Sequence, residues 1–435
     1  MIALSICLGV LPALAEETTG KPERFTSGEY RYTVNEDGTA SIYAYDGSES
    51  ELTIPSALDG HPVTGIGKGA FLIKGELTSA VIPDSVTSID VNAFYGCLRL
   101  QAIEVSENNP YFTSVDGVLF DKAEKTLLSY PRGKATRSYE IPDGTAAIGD
   151  SAIYHCDRLT NVSIPASVSS IGHNSFTSCM LLRKIDVSEA NPAYVSVDGV
   201  LFDKAMNTLL AYPCAKDGSS YEIPDGIAVI GDSVFALCKR LTGVVIPDSV
   251  TAIGRLAFSG CDRLTSIAIS QGVTSIGAWA FSSCGGLTSV TIPDGVTSIG
   301  EGTFDFCEKL GEIAVSKDNP VYESIDGVLF TKLTKALMIY PCARSATDYE
   351  IPLGTTAIGN FAFHGNRNLT SVVIPNGVTE IGDYAFAMCD NLISVAIWDD
   401  ATSIGEDAFD QYKITFGFVP DSSVEAYLRE HNYIA

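Results

Sequence analysis

Residues 287–310 read Leu-Thr-Ser-Val-Thr-Ile-Pro-Asp-Gly-Val-Thr-Ser-Ile-Gly-Glu-Gly-Thr-Phe-Asp-Phe-Cys-Glu-Lys-Leu, and the chain repeats this text with a period of 23 residues. The Ile or Val before the proline slot marks each copy, as at Ile246, Ile269, Ile292 and Val315, with ten further markers between Ile54 and Ile397. Self-similarity at such a period signals a solenoid, in which no unit buries its own apolar face and neighbours must stack. Within the unit, Leu287, Val290 and Ile292 alternate with Thr288, Ser289 and Thr291, the pattern of a strand with one face buried. Pro293 offers no N–H to a ladder and ends the strand, and Asp294-Gly295 turns the chain. Val296 and Ile299 form a second apolar segment before Gly300, and the pairs Ala257-Phe258, Ala280-Phe281 and Thr303-Phe304 set a ring beside a small residue. About seven apolar side chains per coil, each contributing roughly 1.5–3 kcal/mol on burial, hold a stack but not an isolated unit.

Three steps of the series are longer. Val105 to Ile141, Val187 to Ile223 and Val315 to Ile351 each span 36 residues and share one text, which begins at Asn109, Asn191 and Asn319. It reads Asn-Pro-x-Tyr/Phe-x-Ser-Val/Ile-Asp-Gly-Val-Leu-Phe, then Leu-x-x-Tyr-Pro, then Tyr-Glu-Ile-Pro. Asp116-Gly117, Asp198-Gly199 and Asp326-Gly327 predict hairpin turns between the flanking strands. The starts lie 82 and 128 residues apart, a difference of two ordinary repeats, so whole units were gained or lost between the long ones.

The unit resembles the leucine-rich repeats of the BspA type, the class also found in a treponemal repeat protein. That pattern, Cys-x-x-Leu-x-x-Val/Ile-x-Ile-Pro-x-x-Val-x-x-Ile-Gly-x-x-Ala-Phe, is carried in full from Cys238 to Phe258, and from Cys284 to Phe304 with Thr303 in the alanine slot. The resemblance covers about residues 50 to 410. It implies an α/β repeat solenoid: a curved, right-handed stack with a parallel β-sheet on the concave face, short helical or irregular convex segments, and three β-hairpin insertions. It also implies secreted or cell-surface proteins of mucosal bacteria, some of them adhesins for host matrix proteins or other cells.

The predicted organisation is a signal peptide at 1–15, apolar from Ile2 to Leu14 with Ala13-Leu14-Ala15 as the cleavage site, and a capping hairpin within 16–50 turning at Asp37-Gly38. About fourteen coils follow over 51–410, with long units near 105–141, 187–223 and 315–351, and a cap at 411–435 contains a short helix begun by Asp421-Ser422-Ser423. No other stretch approaches the ~18 apolar residues that span a membrane, so direct insertion is not expected. The formal net charge of −25 repels phosphate backbones and argues against nucleic acid.

Of 11 cysteines, Cys7 falls in the leader and eight keep the repeat register, as in Cys238, Cys261, Cys284 and Cys307, while Cys214 and Cys342 share a slot in two long units. No Cys-x-x-Cys or Cys/His cluster suggests zinc, and the cysteines are expected as buried free thiols. The five histidines occupy different slots, and no nucleophile elbow, phosphate loop or His-Glu-x-x-His helix occurs. The Asp-Gly turns lack the carboxylate density of a calcium loop. No enzyme activity, cofactor or metal is therefore expected.

A repeated strand surface suits a macromolecular partner. About fourteen strands at ~4.8 Å would run on the order of 65 Å. Its outward residues are mostly Thr, Ser, Ala and Val, a bland face. The second x of Ile-Gly-x-x-Ala-Phe is sharper. It is predicted to face solvent and is small or polar at Asn92, Ser151, Asn174 and Ser233, but becomes Leu256 and Trp279 in two successive coils and Phe361 and Tyr384 in two others. Trp398 replaces a strand-ending proline. Exposed aromatic groups mark interfaces, with packing against the hairpins as the structural alternative. Leu256, Trp279, Phe361, Tyr384 and Trp398 are thus the candidate partner-binding residues. The expected function is a secreted or cell-surface binding protein, an adhesin, working as a monomer on a host or bacterial surface protein or a glycan. The alternative is a structural spacer or scaffold of the cell envelope; an inhibitor or sensor of host proteins is not separable from the first by sequence.

Overall fold

Each ordinary unit builds two short strands. Ser289–Ile292 is one and Ser298–Ile299 the other, with Pro293 and the Asp294-Gly295 turn between them. These elements belong to a computed structural model that describes residues 23–398, 403–409 and 414–434; the expected signal peptide at 1–15 lies outside the described residues. The longer strand pairs in parallel with its copy one coil on, Val290 opposite Ile313 and Ile292 opposite Val315. The shorter one pairs with the coil before, Ile276 opposite Ile299. Identical slots face each other throughout, so a parallel β-solenoid follows from the period itself. Threonine before the short strand adds a side-chain rung: Thr274 Oγ1 donates to the Thr251 carbonyl at 3.0 Å and Thr297 Oγ1 to the Thr274 carbonyl at 3.4 Å.

By packing, the chain divides into two units, residues up to Ala205 with Ala211–Lys216, and Met206–Leu210 with the chain from Asp217 onward. In the first, Tyr30–Val34 and Ala40–Tyr45 pair antiparallel around Gly38, and Ala40–Tyr45 joins His61–Ile66 in parallel, which connects this hairpin to the short-strand ladder. At the far end of the second, helix Ser423–Glu430 starts on Ser422, whose hydroxyl accepts from the Glu425 N–H at 3.1 Å, and buries Val424 and Leu428. It is the one α-helix among the described residues. The expected helical segments opposite the strands are instead turns, and the backbone gives the reason. Each coil holds two residues at positive φ four apart, such as Asn92 (63°) and Gly96 (77°), or Trp279 (53°) and Ser283 (57°), which no α-helical run accommodates.

The long units interrupt the long-strand sheet. In the first unit it runs through Glu51–Thr53, Ser79–Ile82 and Ala102–Val105, and resumes as Ser138–Glu140, Asn161–Ile164 and Lys184–Val187. Between them stands an antiparallel pair, Phe112–Val115 with Val118–Asp121, and the same arrangement recurs at Tyr194–Val197 with Val200–Asp203. In the second unit it is Tyr322–Ile325 with Val328–Thr331. The glycine at each tip takes the N–H that a next parallel strand would have used: Ile103 donates to Gly117, Ile185 to Gly199 and Ile313 to Gly327, each at 2.9 Å. A cation eighteen residues after each tip aspartate ties the turn down. Lys134 reaches the Asp116 carbonyl and Lys216 the Asp198 carbonyl, both at 2.6 Å, and Arg344 pairs with the Asp326 carboxylate at 2.6 Å.

Columns of like residues fill the interior. Phe235, Phe258, Phe281 and Phe304 stack with centroids 4.8, 5.1 and 5.5 Å apart, and Phe363, Phe386 and Phe409 at 4.7 and 5.2 Å. Beside them run the thiols. Cys261, Cys284 and Cys307 donate to the carbonyls of Phe235, Phe258 and Phe281 in the preceding coil at 3.1–3.2 Å. Burial pushes the Cys261 thiol up to about 12, so it stays protonated and able to donate. Asn366 fills the slot once, and its amide nitrogen takes the same direction toward the Pro341 and Cys342 carbonyls at 3.5 and 3.4 Å. Cys97, Cys156, Cys179, Cys342 and Cys389 are free as well. Cys214 and Cys238 correct the expectation of free thiols, because both are disulfide-bonded. The slot of Cys214 lies in a long unit, outside the 23-residue register from which coil separation was judged.

Candidate partner-binding surface

The candidate residues Leu256, Trp279, Phe361 and Tyr384 share one backbone condition, φ values of 56°, 53°, 59° and 54°. Asn92, Ser151, Asn174 and Ser233 sit in the same slot at 54–63°. The slot is small or polar because a left-handed residue favours Asn, Ser, Asp or Gly, and not because it points to water. Each of the four donates its N–H to the next coil: Leu256 to Ala278, Trp279 to Glu301, Phe361 to Asp383 and Tyr384 to Glu406, all at 3.0 Å.

Exposure differs from the expectation accordingly. Trp279 is buried, with 9% of its surface accessible, while Leu256, Phe361 and Tyr384 are half-buried. Trp279 lies over Gly302, where an added Cβ would come within 2.2 Å of the indole nitrogen. Its ring meets Phe361 edge-on at 6.0 Å, and Phe361 stacks on Tyr384 at 5.3 Å. Arg255 stands 5.2 Å from the indole centroid. Three of the five candidates therefore form one aromatic run. Leu256 has no ring to add to it. Trp398 is exposed at the end of a long strand and makes no ring contact with the others among the described residues.

The long unit explains why Trp279 and Phe361, 82 residues apart, can touch. In an ordinary coil four residues separate the short strand from the ring of the column, as Ile148 from Ile153. In a long unit only two do. Leu127 pairs with Ile148 and Tyr130 already donates to the Ala152 carbonyl, and Leu337 pairs with Ile358 while Tyr340 donates to Ala362. The missing residues leave a gap between the turns on either side. In the second unit Trp279, Phe361 and His364 close it to a remnant of about 10 Å³. There His364 Nδ1 and the buried Asp305 carboxylate are 2.8 Å apart; burial raises the Asp305 pKa and His364 opposes the rise.

In the first unit the same gap is open, a groove of about 100 Å³. Asn92 and Ser151 stand where Gly302 and Phe361 stand in the second, and Tyr95 and Tyr154 stack across it at 5.7 Å. Arg132 Nη2 lies 3.0 Å from His155 Nδ1 and donates to Asp157 at 2.8 Å. Burial, reinforced by Arg132, lowers the His155 pKa to about 4, so the imidazole is neutral at neutral pH. The exposed carboxylates of Asp90 and Asp150 line the groove. Sequence reasoning missed it, although same-slot tyrosines 59 residues apart, one ordinary plus one long step, were a usable signal. Among the described residues no group of three His, Cys, Asp or Glu side chains is placed to hold a metal, and no helix is long and apolar enough to cross a membrane.

The pattern of the BspA-type leucine-rich repeat region matches the chain in six copies, over residues 64–130, 132–197, 213–335 and 339–427. The chain belongs to the BspA-type leucine-rich repeat family. Among solved structures this BspA-type chain is similar to a leucine-rich cell surface protein from Faecalibacterium prausnitzii, at 26% identity over 87% of this chain and 95% of that one, TM-score 0.40. It is also similar to a leucine-rich repeat protein from Eubacterium ventriosum, at 21% identity over 85% and 95%, TM-score 0.48. A third similarity is to the pneumococcal vaccine antigen PcpA, at 20% identity over 95% and 97%, TM-score 0.43. No curated protein matches this BspA-type chain.

Proposed function

We propose that the protein is exported and acts at the bacterial surface as a binding protein, an adhesin for a host protein or another cell. Two things support this: membership of a family of bacterial surface repeat proteins, and the aromatic run on the turns of the second unit. The run carries the reading. Phe361 and Tyr384 accept about 1 kcal/mol each of left-handed backbone strain where Asn or Ser would adopt the conformation with less. Trp279 and its contacts account for the packing, yet Phe361 and Tyr384 keep part of their surface in solvent. Half-exposed aromatic rings held rigidly by backbone are the anchors that protein interfaces favour.

The test replaces Phe361 and Tyr384 together by asparagine, which suits their backbone and removes the rings. Capture of the full chain on arrayed host matrix proteins, surface proteins and glycans is expected to fall about tenfold or more, with the melting temperature little changed. Equal capture by wild type and variant would remove these rings from the site. A wild-type chain that captures nothing, yet sediments with purified cell envelopes, would instead favour the spacer.

A further inference from the structure

We infer that the groove beside the first long unit receives the side chain of a lysine or arginine presented by a basic segment of a protein partner. The inference rests on the reading of the chain as a protein-binding protein and names what one part of it binds. The groove is a gap that the shortened turn creates, and the fold shows two ways of treating it. In the second unit aromatic rings fill it; in the first it stays open at about 100 Å³, lined by Tyr95 and Tyr154 and by the exposed carboxylates of Asp90 and Asp150.

Charge selects the occupant. Arg132 is the one cation among the lining residues, and it is already paired with Asp157 at 2.8 Å. Asp90 and Asp150 each use one oxygen on a backbone N–H, Asp90 Oδ2 on Lys68 at 3.1 Å and Asp150 Oδ1 on His173 at 2.7 Å, and the other oxygen of each has no protein partner among the described residues. The groove is therefore negative within a chain of formal net charge −25, which repels anions and draws basic segments from a distance. The cleft is narrow and apolar at its floor, with Phe94, Leu119 and Leu128, which suits the methylene stem of a long cationic side chain. The phenol rings and carboxylates around it suit the charged head.

The experiment measures binding of a fluorescent lysine-rich peptide to the full chain by anisotropy at about 0.15 M salt. Two double variants remove the same charge: Asp90→Asn with Asp150→Asn at the groove, and Asp232→Asn with Asp383→Asn in the same kind of turn elsewhere. Asparagine keeps the backbone bond that each aspartate makes. The groove pair is expected to weaken binding about tenfold and the distant pair less than about twofold. Ser151→Phe copies Phe361 at the equivalent position; it is expected to plug the groove and abolish binding without changing any charge. Equal losses from the two double variants would reduce the effect to bulk charge and overturn the inference. So would full binding by Ser151→Phe, or preference for a neutral oligosaccharide over the peptide. A wild-type chain that captures array proteins but ignores the peptide would sink this inference and leave the proposed function standing.

Discussion

Replacing Asn319 by alanine is expected to destabilise the third long unit by about 4 kcal/mol, an estimate from the cost of stranding several buried polar groups. Asn319 is fully buried and uses its whole amide. Its nitrogen donates to the carbonyls of Pro293 at 2.7 Å and Val296 at 2.9 Å in the coil before. Its oxygen accepts from the N–H groups of Val321 at 2.9 Å and Tyr322 at 2.8 Å in its own unit. Asn109 and Asn191 make the same four bonds, so this residue launches every hairpin from the turn of its neighbour. Alanine leaves four backbone groups unpaired where water has little access. Because repeat arrays depart from two-state unfolding, the measurement is hydrogen exchange at the amides of Tyr322–Ile325 and Val328–Thr331. Faster exchange there, with the capping helix unaffected, is the expected outcome. A change below about 1 kcal/mol would mean that solvent reaches the site and replaces the amide.

Phe281→Ala is expected to cost a similar amount, about 3–5 kcal/mol, the range for deleting a buried ring. Phe281 has no accessible surface and stacks on both neighbours, 5.1 Å from Phe258 and 5.5 Å from Phe304. The cavity would open between three coils, and the turns around it are tied by the backbone bond from Phe281 N to the Thr303 carbonyl at 2.9 Å. Collapse would require coils to approach more closely than their strand ladders allow, so little of the cost should be recovered. Phe281→Leu retains much of the volume and is expected to lose about 1.5 kcal/mol. Chemical denaturation of the two variants gives the comparison. Equal losses would show that ring stacking, rather than filled volume, dominates the column.

These two sites differ in how legible they were. The phenylalanine column follows from the period, since an apolar slot repeated at a fixed interval must stack on itself. The Pro-Asp-Gly turn and the Asp-Gly hairpins follow from which residues can donate an N–H or accept positive φ. Asn319 stood in plain view as the first letter of a shared text, but what it bonds depends on where the preceding coil places two carbonyls. The Trp279 slot was misread for a physical reason. Left-handed backbone and solvent exposure both select Asn and Ser, so composition alone does not separate them. The groove was hidden because it comes from residues that are missing, two fewer between Leu127 and Tyr130 than between Ile148 and Ile153. The disulfide-bonded state of Cys214 and Cys238 was likewise beyond a reading that treated all cysteines as one register.

What ties the fold to function is that binding belongs to the turns around the long units, while the strand faces serve the stack. Hydrogen exchange of the full chain, with and without saturating lysine-rich peptide, tests this most directly. Slower exchange confined to residues 90–96 and 149–155, with the long strands Ser79–Ile82 and Asn161–Ile164 unchanged, is the predicted result. Protection spread along those strands, with the turns untouched, would contradict it.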